Sequence, residues 1–150
     1  MIQRLNPTGM PEGTENRKRA GVLIIAHNHI GQQLLETATD MLNRRPPQVR
    51  SLEVMQDDDP VDLLARARRL LAEVEAGAGV LVLTDMYGST PSNIAHRLAD
   101  QGQQAVRVLS GLNLPMLVRA LNYAELPLDE LSRKALSGGR DGILDAEDMN

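Results

Sequence analysis

The chain has 150 residues, 42% of them hydrophobic and 24% charged, with a net charge of −4; this suits one domain that buries roughly two thirds of its extended surface. The absence of cysteine excludes disulfides, thiolate metal sites and a cysteine nucleophile, and fits a reducing compartment. Aromatic content of 1% and the lack of a Lys/Arg stripe exclude the stacking platforms and positive surfaces on which nucleic-acid binding depends.

Residues 1–18 are rich in Pro, Gly, Thr and Asn and predict a flexible N-terminal leader, leaving a single domain over residues 19–150. Arg17-Lys18-Arg19 before an apolar run has the charge order of a signal peptide. The run Ala20–Ala26 is short for that purpose, however, ends on His27, and no small-residue cleavage pattern follows. No stretch reaches the ~20 apolar residues of a membrane span. The expectation is a cytoplasmic protein without direct membrane insertion.

From there strand-like and helix-like segments alternate. Apolar, β-branched runs at Gly21–Ala26, Val49–Met55, Gly79–Thr84 and Ala105–Leu109 read as strands, and the near-continuous apolarity of "GVLIIAH" and "GVLVLTD" suits strands covered on both faces. Helical spacing appears at Leu34/Leu35/Ala38/Leu42 and at Val61/Leu64/Ala65/Ala67/Leu71. Asp59-Pro60 opens the second of these as cap and first turn, and further helices are expected at Pro91–Asp100 and Pro115–Ala124. Regular strand–helix succession predicts an α/β fold: a doubly wound, open, mainly parallel sheet with helices on both faces. In the tail, "LDELSRKALSGGRDGILDAEDMN" predicts a helix over Leu128–Leu136, a stop at Gly138-Gly139, and "GIL" as a C-terminal edge strand.

Ligands of such sheets bind outside the carboxyl ends of the strands, near the switch point. His27 and Asp85 each stand at such an end. A neutral imidazole is a competent nucleophile, and a carboxylate bonded to one ring nitrogen holds the tautomer that exposes the other; Asp85 is suited to this role toward His27. After Asp85 comes Met86-Tyr87-Gly88-Ser89-Thr90-Pro91. Gly88 allows a tight turn, Thr90 reads as an N-cap and Pro91 as the first helical position. Free amides at that helix start, with the hydroxyls of Ser89 and Thr90, are suited in kind to hold a phosphoryl group. This reading needs no metal, nucleotide or other cofactor, and the chain carries no GxxxxGK[ST] phosphate loop.

These residues resemble the mannose-type IIA component of the bacterial phosphoenolpyruvate-dependent sugar phosphotransferase system. The resemblance runs from about Gly21 to about Ala146 and comprises the first strand ending in His, "LLETATDML", "GVLVLTDMYGSTPSNIAHRL", "SGLNLPMLVRAL" and "GGRDGILDA". It implies that His27 takes a phosphoryl group from the phosphocarrier protein HPr, with Asp85 as ring-orienting aspartate and Thr90 as the hydroxyl residue before proline. The group then passes to a separate IIB component in sugar uptake, or the phosphorylation state signals to a regulatory partner. It also implies a homodimer that exchanges a C-terminal strand, which "GRDGILDA" would supply. The chain departs from the family pattern after the active histidine, where Asn28-His29 replace the usual Gly.

Three other features invite chemistry. His29 follows His27 by two residues, but Gly31 and the helix behind it end the strand, so the two rings are not expected on one strand face. His96 lies inside a predicted helix and reads as a surface residue. Asp57-Asp58-Asp59 precede Pro60 and read as a helix-start charge cluster rather than as metal ligands.

Overall fold

A computed structural model of the chain describes residues 19–102 and 104–149; the leader expected over residues 1–18 lies outside the described residues. The strands are β1 (Gly21–His27), β2 (Val49–Val54), β3 (Val80–Thr84) and β4 (Val106–Ser110). The helices are α1 (Ile30–Leu42), α2 (Pro60–Val74), α3 (Thr90–Gln101), α4 (Leu114–Asn122) and α5 (Leu128–Asp141), followed by a 3-10 turn at Ala146–Met149. All strand pairings are parallel, in the order β2-β1-β3-β4. The doubly wound α/β sheet expected from the alternation is therefore present.

Side chains alternate across a strand, and β1 and β3 are apolar at both parities. Val22, Ile24, Leu81 and Leu83 pack on one face against residues of α1, α4 and α5, such as Leu35, Leu117 and Leu131. Leu23, Ile25, Val80 and Val82 pack on the other against α2 and α3, through Leu63, Leu71, Ile94 and Leu98. Ile24 and Ile25 are both 0% exposed, and burial of each contributes about 1.5–3 kcal/mol. That two-sided burial holds the carboxyl ends of β1 and β3 rigidly side by side.

Helix starts follow their local chemistry. The Asp59 carboxylate accepts from the Val61 amide at 3.4 Å, with Pro60 in the first turn of α2. Asp58 accepts from the Met55 amide at 2.8 Å and lies 3.4 Å from Arg66. The acidic triplet thus works as a helix start. Asn113 caps α4 by accepting from the Met116 amide at 2.9 Å, and its side-chain NH2 donates to the Gly139 carbonyl at 3.0 Å, tying α4 to α5.

The tail differs from expectation. α5 does not stop at Gly138-Gly139 but runs on to Asp141, and Gly142–Leu144 form no strand in the single chain. The glycines serve packing. A Cβ on Gly138 would lie 2.8 Å from the Cβ of Arg119, and one on Gly139 would lie 2.8 Å from the methyl of Met116. Their absence lets α5 approach α4 closely. Ile143 and Leu144 are left 76% and 64% exposed.

The β1–α1 turn accounts for Asn28. Its φ of +51° is left-handed, a region that Gly enters freely and Asn tolerates better than other residues. Its N–H donates to the Val54 carbonyl at 2.9 Å, extending the β1–β2 ladder past His27. The left-handed turn of the backbone thus suits Asn at this position, as it would suit the Gly that the resemblance leads one to expect.

Two stability outcomes follow. Gly138→Ala adds helix propensity of about 0.5–1 kcal/mol, but the Arg119 Cβ can yield only if the helix axis moves, and overpacking costs about 1–3 kcal/mol. The net expectation is a lowered urea midpoint. For Asn28, replacement by Gly should leave the midpoint within about 0.5 kcal/mol of the parent, whereas Asn28→Val should cost about 1–2 kcal/mol.

Candidate functional site

The chain runs from β1 outward to β2, then crosses back to β3 on the other side of β1. The switch point lies between β1 and β3, where a crevice opens at the carboxyl ends. Ile25 pairs with Thr84, so the next residue, Asp85, projects beside the last residues of β1.

Asp85 binds His27 twice through one oxygen. Its Oδ2 accepts from the His27 backbone amide at 3.0 Å and lies 2.8 Å from the ring Nδ1. An ionised carboxylate only accepts, so Nδ1 carries the proton in this bond, and in the neutral ring Nε2 presents its lone pair. The His27 side chain is 38% exposed and that of Asp85 13%, so the ring is partly open to solvent while its partner is largely shielded. The other oxygen, Oδ1, is buried and without a hydrogen-bond partner.

Facing the ring is the start of α3. Gly88 has a φ of +83°, a conformation that favours glycine, and the loop turns there as expected. The N-cap is Ser89 rather than Thr90: Ser89 is extended, its carbonyl accepts from Asn93 at 2.9 Å, and Thr90-Pro91 form the first helical turn. The Ser89 hydroxyl turns back to donate to the Met86 carbonyl at 2.6 Å, and its amide reaches the same carbonyl at 3.4 Å. Amides in a first helical turn have no intrahelical acceptor, so Thr90 and Ser92 offer donors at the positive end of the dipole. No acidic residue occupies this turn. The Ser92 hydroxyl is buried and unpartnered.

His27, Asn28, Met55, Asp58, Pro60 and Thr90 share the walls of a cleft of about 500 Å³. The structure thus brings His27, Asp85 and Thr90 together; Gly88 shapes the loop, and Ser89 lies beside the group with its hydroxyl engaged elsewhere. A larger cavity, about 880 Å³, sits at the opposite end of the sheet among Arg68, Glu75, Gln101 and Gln104. It is lined by no histidine and by none of the strand-end residues. His96 is exposed, as expected for a surface residue, with its ring edge-on to Tyr87 at 6.0 Å.

One site feature escaped the sequence reading. His29 Nδ1 lies 2.9 Å from Glu53 Oε2. Glu53 is brought there by the β1–β2 register, in which it pairs with Ala26; no motif marks it. His27 and His29 therefore each have a carboxylate of their own. Among the described residues, no three His, Asp or Glu side chains converge as a metal-ligand set.

Comparison with known proteins places this geometry. The family model described as PTS system fructose IIA component, EIIA-man, matches residues 21–136. The chain is 31% identical over 124 residues to the PTS system mannose-specific EIIAB component of Escherichia coli (strain K12), covering 81% of this chain and 38% of that protein. It is 29% identical over 118 residues to the transcriptional regulatory protein LevR of Bacillus subtilis (strain 168), covering 76% and 12%. The chain thus spans well under half the length of these curated relatives. Among solved structures, the phosphotransferase system component EIIA from Streptococcus agalactiae superposes with a TM-score of 0.76 at 26% identity, covering 84% of this chain and 96% of that one. The chain belongs to the EIIA-man family of phosphotransferase-system IIA components.

Proposed function

We propose that His27 accepts a phosphoryl group from phospho-HPr on Nε2 and passes it to a separate IIB protein in sugar uptake, in the cytoplasm. The observation that carries this is the double hold of Asp85 Oδ2 on the His27 amide and Nδ1. With backbone and ring both anchored, Nε2 is aimed outward in its nucleophilic tautomer at no reorganisation cost. Phosphoryl transfer breaks the donor's N–P bond and forms one to Nε2. The ring then becomes a phosphoimidazolium, and the Asp85 carboxylate offsets its positive charge. Thr90 and Ser92 amides, the Thr90 hydroxyl and the α3 dipole are suited to the new phosphate oxygens; Gly88 sets the loop, and Ser89 contributes if its hydroxyl turns from Met86.

A protein donor suits the surroundings. The rim beside the cleft exposes Met55, Met86 and Tyr87, at 41%, 60% and 77%, side chains of the kind that form adaptable macromolecular contacts. The free edge of β4 and the exposed Ile143 and Leu144 support a homodimer within the same reading. A second role, in which the phosphorylation state governs partner binding without onward transfer, draws on the likeness to LevR.

The test is phosphorylation by phosphoenolpyruvate, enzyme I and HPr, with the phosphate located by fragmentation and its passage to a IIB protein followed. Phosphate on His27, with onward transfer abolished in His27→Ala, is the expected result. Undiminished onward transfer from His27→Ala would overturn the assignment. Asp85→Asn, which keeps the shape but loses the charge, should slow phosphorylation of His27 by roughly 10²- to 10⁴-fold. Stable phospho-His27 that binds a partner without onward transfer would select the regulatory role.

A further inference from the structure

His29 repeats, in a second setting, the arrangement that makes His27 reactive. Its Nδ1 lies 2.9 Å from Glu53 Oε2, against 2.8 Å for His27 and Asp85. The carboxylate again accepts a hydrogen bond from Nδ1–H, and in the neutral ring Nε2 is again left with its lone pair. The side chains are 64% and 37% exposed. An exposed pair of this kind contributes little to stability, so fold maintenance explains little of it. The pair instead fixes the tautomer and orientation of an imidazole that solvent and protein partners reach freely.

Two placements make this matter. His29 is the N-cap of α1 and gives its helix no side-chain cap, and no acidic residue lies in the first turn of α1. The same holds at α3, beside His27. The other three helices differ: Asp59 caps α2 and Asn113 caps α4, while Asp129 and Glu130 lie in the first turn of α5. The two helices whose positive ends carry neither a side-chain cap nor a carboxylate are those that begin beside His29 and His27. In addition, His29 is two residues from His27 on the same sheet rim, so a protein delivering phosphate to one meets the other.

We propose that His29, oriented by Glu53, is a second phosphoryl acceptor of this chain, loaded on Nε2 by the same class of protein phosphohistidine donor. The step balances as an exchange between imidazoles. The donor's N–P bond breaks, its electron pair returns to the donor ring, and the Nε2 lone pair forms the new N–P bond. A protonated donor ring leaves neutral, while His29 keeps its Nδ1 proton and becomes a phosphoimidazolium against the Glu53 carboxylate. The inference rests on the donor assigned above for His27, and the two sites are separated by variants.

The full chain is incubated with phosphoenolpyruvate, enzyme I and HPr, and intact mass and the phosphorylated residue are followed for the parent, His27→Ala, His29→Ala and Glu53→Gln, each checked for folding. The parent is expected to gain two increments of about 80 Da each, the second more slowly because a dianion already occupies the rim. His29→Ala stops at one, on His27, and His27→Ala gains one, on His29. Glu53→Gln slows the His29 increment roughly 10- to 100-fold, the scale on which loss of an orienting partner acts on an imidazole, and leaves the His27 increment unchanged. A single increment in the parent and none in folded His27→Ala would overturn the proposal while leaving His27 as acceptor. A second increment that persists in His29→Ala would overturn it by locating the phosphate elsewhere. No increment in any of the four proteins would overturn both readings together.

Discussion

Everything at the site depends on β1 lying between β2 and β3 in a parallel sheet covered on both faces. Parallel pairing sends all carboxyl ends to one rim, and the switch in winding direction separates the loops after β1 and β3. His27 and Asp85 are 58 residues apart in sequence, yet their juxtaposition needs no loop to be ordered. It follows from the register that pairs Ile25 with Thr84. The core on either face serves that register, since a slip of one residue would turn apolar side chains from one packed layer into the other.

For the proposed function a rigid rim matters, because a phosphorylated imidazole would have to form and discharge with little structural change. Asp85 Oδ2 binds both the backbone and the ring of the same residue, so the ring orientation is set against the strand itself. The α3 start supplies amide donors without an acidic competitor. Neither element is strong alone; an N-terminal dipole contributes about 0.3–1 kcal/mol toward an anion at an exposed site. Their meeting at one cleft is what the phosphoryl-acceptor role proposed for His27 draws on.

Much of this was legible in the residues. Two nearly continuous apolar runs end on His27 and just before Asp85, and buried parallel strands leave such a mark because neither face meets water. Asp59-Pro60 and the Gly88 turn were legible through local rules of φ and capping. The cap of α3 was displaced by one residue, since Ser89 and Thr90 are both competent and only the extended backbone at Ser89 decides between them. The end of α5 was misjudged because Gly138-Gly139 signals a stop locally, whereas contact with Arg119 and Met116 demands residues without side chains. Glu53 could not be found at all: its relation to His29 exists only through β1–β2 register. Asn28 became intelligible once its left-handed φ was known.

In the proposed reading Asp85 keeps the proton on Nδ1 of His27, so that phosphate resides on Nε2. Nitrogen-15 and phosphorus-31 NMR of the phosphorylated protein, with His29 replaced by Ala so that no phosphate on His29 overlaps the His27 signals, measures this directly. Phosphorus coupling to Nε2 of His27, with a protonated Nδ1 in a hydrogen bond, is the predicted result. Phosphate on Nδ1 of His27 would contradict the account, because that nitrogen cannot bear phosphate while Asp85 holds its proton.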